Sequence, residues 1–240
     1  MEYSKIGICL LLLLLPVFLF LKIKISYMLP KGYGNQRFQL GNAQLLGNCA
    51  HQNDYFSIEE NEKQLFIVIA DGLTDRPEGK RASVMAVEAM KYHYHHIAMY
   101  QGMEDYFKQS FGDIEYGIHK SSAANKTGAA VFCSILVGKA LYWAAIGSCG
   151  FYLYRKGEIR LVNGRGETNN RMEYGTLQCK KRDVLLFCTE GVFQCVSELE
   201  LKEILSKEKH PYEKAMDLIN RIGHKGYAYQ KNATAIIVEI

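Results

Sequence analysis

Phe66-Ile67-Val68-Ile69-Ala70-Asp71-Gly72 is an unbroken apolar run that stops abruptly on a carboxylate and a glycine. Its β-branched residues and lack of polar alternation predict a strand buried on both faces, and Asp-Gly predicts a sharp exit from it. A second stretch, Leu185-Leu186-Phe187-Cys188-Thr189-Glu190-Gly191, has the same construction with Glu190 as the acid. An acid at a strand end followed by glycine presents its carboxylate, and the glycine carbonyl, to a hard cation such as Mg²⁺ or Mn²⁺. A plain strand-to-turn exit is spelled the same way, so each junction alone leaves both readings open.

Outward from these two runs, strand-like segments recur at Phe38–Leu46, Tyr55–Ile58, Leu65–Ala70, Ala129–Val137, Ala140–Ile146, Phe151–Arg155, Glu158–Val162, Asp183–Cys188 and Ala233–Ile240. Connections as short as Gly138-Lys139 and Lys156-Gly157 predict antiparallel hairpins rather than parallel crossovers. Helices separate the strands in pairs. Arg81–Tyr100 carries apolar residues at three- and four-residue spacing, with Tyr106–Lys120 as its partner. Ser197 with Glu200 spells a capping box ahead of Leu201–Leu205, and Pro211 and Gly223 bracket a helix with Ala215, Leu218, Ile219 and Ile222 on one face. The expected class is α+β, a layered sandwich of antiparallel strands with two helix pairs.

The chain has 240 residues and a net charge of +4, but Lys5, Lys22, Lys24, Lys31 and Arg37 stand against Glu2 alone in the first 37 residues. The remainder is charge-balanced, which gives no basic footprint for nucleic acid. Seven cysteines at 9, 49, 133, 149, 179, 188 and 195 form neither a C-x-x-C pair nor a disulfide framework, as in a reducing compartment. Ile6–Leu21 reads I-G-I-C-L-L-L-L-L-L-P-V-F-L-F-L without a charge, and extension through Ile25 with snorkelling Lys22 and Lys24 reaches bilayer length. No small-residue cleavage site follows, so residues 1–29 are expected to be an uncleaved signal-anchor and 30–37 a polar linker. The Lys and Arg excess after the run predicts a single-pass membrane protein whose soluble part, 38–240, faces the cytoplasm.

Over residues 38–240 the sequence resembles the metal-dependent protein phosphatase family (PPM, type two C). The family's G-x-R-x-x-N-(Q/E)-D is similar to Gly47-Asn48-Cys49-Ala50-His51-Gln52-Asn53-Asp54, and its V-A-D-G-M-G-G to Ile69-Ala70-Asp71-Gly72-Leu73-Thr74-Asp75. G-D-S resembles Gly147-Ser148-Cys149, S-D-G resembles Thr189-Glu190-Gly191, and the final D-N-x-T resembles Lys231-Asn232-Ala233-Thr234. The resemblance implies a four-layer α-β-β-α sandwich, two antiparallel sheets with a helix pair on each outer face. It also implies two divalent ions bridged by the Asp of the second motif, which activate a water against phosphoserine or phosphothreonine while the first motif's Arg grips the phosphate.

The match departs from the family where the chemistry is. Asp54, Asp71, Gly72 and Glu190 keep a residual metal set. Cys49 replaces the phosphate-gripping Arg with a neutral thiol, and Asn53 and Ser148 replace a Gln or Glu and an Asp. Lys231 puts an ammonium where a ligating carboxylate belongs, which opposes a metal electrostatically. Two readings of Lys231 stand: a substitute cation among Asp54, Asp71 and Glu190, or a solvated loop side chain. The expectation is a membrane-anchored pseudophosphatase with a binding or regulatory role, at most one weak Mg²⁺ or Mn²⁺ site, and a phosphoprotein or membrane partner. The competing expectation is an active Ser/Thr phosphatase with a reduced site on Asp54, Asp71 and Glu190, helped by Asp75. A purely structural membrane role fits less well, because part of the acid cluster survives. His93, His95 and His96 read as a helix face rather than a metal set, and Cys188, Cys195 and Trp143 read as core.

Overall fold

The computed structural model describes residues 38–121, 128–164 and 171–240; the expected anchor at 1–29 and linker at 30–37 lie outside them. Among the described residues, ten strands form two five-stranded sheets. The first contains β1 (Gln39–Leu45), β6 (Gly150–Arg155), β7 (Glu158–Leu161), β9 (Val184–Cys188) and β10 (Ala233–Glu239), in spatial order β1-β10-β9-β6-β7. The second runs in sequence order through β2 (Asp54–Glu60), β3 (Gln64–Gly72), β4 (Ala129–Val137), β5 (Ala140–Ile146) and β8 (Glu173–Gln178). All neighbouring pairs are antiparallel, as the short connections required. The β6–β7 hairpin turns through Lys156 and Gly157, both at positive φ, which matches the strand twist.

The solid apolar runs follow from burial on both faces. In β3, Leu65, Ile67 and Ile69 point between the sheets, while Phe66, Val68 and Ala70 point outward under helices. In the core between the sheets, Phe132, Phe151 and Phe187 stack with centroids 4.9 to 5.4 Å apart, beside the mid-strand Trp143. Helices α1 (Pro77–His95) and α2 (Met103–Ser121) cover the second sheet through Ala82, Ala86, Met90, Tyr106 and Phe107. A short turn, α3 (Glu190–Phe193), precedes α4 (Glu198–Leu205) and α5 (Pro211–Lys225), whose Leu201, Ile204, Leu218 and Ile222 cover the first sheet. The expected layer order of helices, sheet, sheet and helices is therefore present. Among the described residues, no helix is long and apolar enough to cross a membrane.

Several boundaries differ from the sequence reading. α1 begins at Pro77, where a missing N–H is harmless, and stops at His95 before a separate 3₁₀ turn, Ile97–Met99. The Ser197–Glu200 capping box forms as expected. α5 continues through Gly223 and ends instead at Gly226, which takes the left-handed conformation at φ 60. β8 and α3 have no counterpart in the sequence reading, because Glu-Tyr-Gly-Thr-Leu-Gln buries only Leu177 and α3 is one turn long. The three histidines do not converge: His93 meets Tyr100 and Asp113, His95 meets Glu59, and His96 meets the Tyr92 carbonyl. Cys188 is fully buried, but Cys195 is only half-buried and donates to Gln230 Oε1.

Candidate functional site

At one end of the sandwich the two sheets present their acids to each other. The β2–β3 register sets Asp54 directly opposite Asp71, so both carboxyls arise from adjacent strands. Gly72 ends β3 against α1: a Cβ there would lie 2.3 Å from the Gly79 carbonyl oxygen, so only glycine allows this approach. From the first sheet, β9 ends at Cys188 and hands Glu190 to the first position of α3. Gly191 lies against the start of β10, where a Cβ would fall 2.0 Å from the Asn232 carbonyl oxygen. That close packing brings Glu190 beside Lys231.

Asp54 is fully buried. Its Oδ2 accepts hydrogen bonds from Thr189 Oγ1 at 2.8 Å and Thr234 Oγ1 at 2.7 Å. Burial raises its pKa; the two hydroxyls and Asp71 oppose the rise. Asp71 is pushed up to about 8, first by burial and then by the Asp54 and Glu190 charges, with Lys231 opposing. Both carboxyls are raised, so the pair, rather than either residue alone, favours keeping a proton that two separated carboxylates would lose. Lys80 donates to the Asp54 carbonyl at 2.9 Å while its ammonium lies 4.7 Å from the centre of the Tyr55 ring.

The four substituted positions each have a definite place. Lys231 Nζ lies 3.0 Å from Glu190 Oε1, with its side chain 51% exposed, so the two readings of this residue coexist: it is solvated and also pairs with an acid of the cluster. Ser148, where the chain passes from β5 to β6, donates to Glu190 Oε2 at 3.1 Å. Asn53 is buried and donates its amide to the Thr74 carbonyl, while its backbone N–H donates to Asn232 Oδ1 at 2.8 Å. The Cys49 thiol points to the Gln230 carbonyl at 3.8 Å, and burial raises its pKa, so it stays a neutral, weak donor. Cys49, Asn53, Asp71, Gly72, Leu73, Thr74, Asp75, Glu190, Lys231 and Asn232 line a cleft of about 120 Å³.

Sequence reasoning assigned no role to Thr189 and Thr234, although both lie in the motifs, and did not single out Lys80. Two threonines facing each other, Thr189 just past the end of β9 and Thr234 in β10, become visible only in the register, where the Thr189 N–H donates to the Thr234 carbonyl and the Thr234 N–H to Thr189 Oγ1.

The donor set does not suit the pair of divalent ions that the resemblance implies. One oxygen of Asp54 is committed to two hydroxyls, Glu190 is engaged by Lys231, Ser148 and Gln194, and a resident ammonium faces the cleft. Among the described residues, no three His, Cys, Asp or Glu side chains converge as a metal-holding group.

No family model matches the sequence, and no curated protein matches it. Solved structures do. The S. agalactiae serine/threonine phosphatase superposes with a TM-score of 0.74 at 18% identity, covering 85% of this chain and 99% of that one. Stp1 from Staphylococcus aureus gives 0.72 at 15% identity, covering 85% and 95%. The catalytic domain of PstP, solved in complex with two manganese ions, gives 0.68 at 17% identity, covering 84% and 97%. The chain thus has the fold of the PPM-type serine/threonine phosphatases, over nearly the whole length of each.

Proposed function

We propose that this chain is a divergent PPM phosphatase homologue that binds rather than hydrolyses, a pseudophosphatase held at a membrane by residues 6–25 with its sandwich on the cytoplasmic side. The single observation that carries this reading is the Lys231 ammonium, 3.0 Å from Glu190 inside the cleft. It stands at the position where the resemblance expects a metal-ligating carboxylate. A fixed cation there neutralises part of the acid cluster, which otherwise repels itself, yet an ammonium cannot lower the pKa of a bound water as a divalent ion does. The second support is Cys49. A neutral thiol turned toward a backbone carbonyl supplies no bidentate, charged grip on a phosphate. What survives is a scaffold: Thr189, Thr234 and Asn232 tie both sheets together around Asp54 without help from a metal.

The test is calorimetry of Mn²⁺ binding to the full-length chain and to Lys231→Asp. The wild type should bind at most one ion weakly, and Lys231→Asp should bind at least about tenfold more tightly, because it removes a competing cation and adds a carboxylate. Two tight Mn²⁺ sites in the wild type would overturn the reading and favour the active-phosphatase alternative on Asp54, Asp71 and Glu190.

A further inference from the structure

Five cations gather at the end of the sandwich away from the cleft. β4 leaves the cleft at Ala129, opposite Gly72, and ends at Val137, so the turn Gly138-Lys139 lies about 25–30 Å away at the other end. Lys156 in the β6–β7 turn and Lys180, Lys181 and Arg182 between β8 and β9 lie at that same end. The three turns are fastened to one another. The Cys179 N–H donates to the Lys139 carbonyl at 2.8 Å, Arg155 Nη2 donates to the Gln178 carbonyl at 2.8 Å, and the same guanidinium holds both oxygens of buried Asp183. All five residues are exposed, and among the described residues none of them has an ion pair. Surface cations elsewhere do pair, as Lys91 with Glu88, Lys209 with Asp217 and Arg221 with Glu203. Asp183 is committed to Arg155, which leaves Glu158 as the exposed acid of these turns; Glu60 and Glu62 stand on the β2–β3 turn, at the opposite edge of the second sheet from β8.

Two of the five stand where the backbone favours glycine, Lys156 at φ 52 and Arg182 at φ 70. Glycine or asparagine would make either turn with less strain, so turn geometry does not account for the charge. Like charges held this close repel one another, and a polyanionic surface relieves that repulsion. Spread over three turns instead of converging on a pocket, they match a plane of charge rather than a single phosphate. The same end also receives the chain from its N-terminal side. Gln39 opens β1 opposite Glu239, while Ile240 donates to the Asp183 carbonyl and accepts from the Arg182 N–H, so Phe38 enters about 10 Å from Arg182 by strand spacing. From Ile25, the end of the expected span, to Phe38 the chain reaches at most about 45 Å. A tether that short keeps the patch at high local concentration near a bilayer, so a weak attraction at each charge suffices. We propose that the end of the sandwich carrying Lys139, Lys156, Lys180, Lys181 and Arg182 lies against the anionic phospholipid headgroups of the membrane, which turns the cleft toward soluble partners. This rests on the reading of residues 6–25 as an anchor, and goes beyond it by naming the face that meets the lipid.

The experiment incorporates the full-length chain into lipid nanodiscs, of phosphatidylcholine alone or with about 30% phosphatidylserine, and follows single-hit acetylation of each lysine by mass spectrometry. At about 50 mM salt, Lys139, Lys156, Lys180 and Lys181 should react at least about threefold more slowly on the anionic disc than on the neutral one, and the difference should vanish at about 0.5 M salt. Lys231, in the cleft, should react equally on both. Lys180→Glu combined with Lys181→Glu should restore most of the lost reactivity at Lys139 and Lys156, with unchanged Trp143 emission certifying the fold. Equal reactivity of the four lysines on both discs, or protection of Lys231 in their place, overturns the proposal. So does protection on the neutral disc by inorganic phosphate, or by an RNA oligonucleotide, that matches the anionic disc. A chain that never enters the discs defeats the anchor reading and this inference with it, whereas a chain that enters them with all four lysines equally reactive defeats only this inference.

Discussion

Replacing Asp71 by asparagine should stabilise the protein at alkaline pH and leave it unchanged in mild acid. In the native state the Asp71 carboxyl is held near 8, against about 3.9 in an unfolded chain. Between those values the folded protein keeps a proton that the unfolded chain has lost, so stability falls as pH rises through the window and levels off above about 8. Four pH units at about 1.4 kcal/mol each would be about 6 kcal/mol for an isolated, sequestered carboxyl. Asp71 opens onto the cleft and faces Lys231, so water and the ammonium stabilise its anion, and we expect about 2 kcal/mol. The substituted carboxamide is neutral at every pH, so it removes the charge that burial and the Asp54 and Glu190 carboxylates oppose. Urea unfolding of the full-length chain, followed by the emission of its single tryptophan, Trp143, is the assay. At pH 8.5 Asp71→Asn should gain about 2 kcal/mol, or about 4–8 °C in Tm; at pH 4 the two proteins should agree within about 0.5 kcal/mol. A variant destabilised at pH 8.5, or offset equally at both pH values, would refute the raised pKa of the Asp71 carboxyl.

Thr189→Val and Thr234→Val keep shape but each remove one hydroxyl from buried Asp54, and each should lower stability by about 1.5–3 kcal/mol with clear non-additivity in the double variant, measured by the same urea curves. Gly191→Ala places a Cβ against the Asn232 carbonyl oxygen; it should cost more than about 2 kcal/mol and disturb the Glu190–Lys231 pair, visible as a shift of the Lys231 side-chain resonances by NMR. For the anchor, protease added to intact cells should spare the sandwich, and its digestion from outside would reverse the orientation proposed from Lys22, Lys24, Lys31 and Arg37.

The layer order was legible because burial on both faces leaves its mark on the sequence. A strand such as Phe66–Ala70 has no polar alternate, which requires a second layer on each side, and the capping box at Ser197 marks its helix without tertiary help. β8 stayed hidden because an edge strand needs little apolar surface, and α5 outran Gly223 because its apolar stripe holds the helix across one glycine. In the site, Asp54, Asp71, Glu190 and Lys231 were marked by their positions after strands or before one. The threonine pair on Asp54 was not, since it depends on β9–β10 register, and neither was the Lys80 contact, which depends on where α1 starts. The Lys231 question could not be decided from the sequence, because solvation and ion pairing differ only in where the loop before β10 rests.

Turnover tests the non-hydrolytic reading of the cleft most directly. The purified full-length chain should be assayed with Mn²⁺ against an aryl phosphate and phosphoserine peptides, beside Asp71→Asn and the triple change Cys49→Arg, Lys231→Asp, Glu190→Asp. No Mn²⁺-dependent hydrolysis is expected from the wild type, and measurable hydrolysis is expected from the triple variant, which restores the held phosphate and the missing carboxylate. Turnover by the wild type that Asp71→Asn abolishes would contradict that reading.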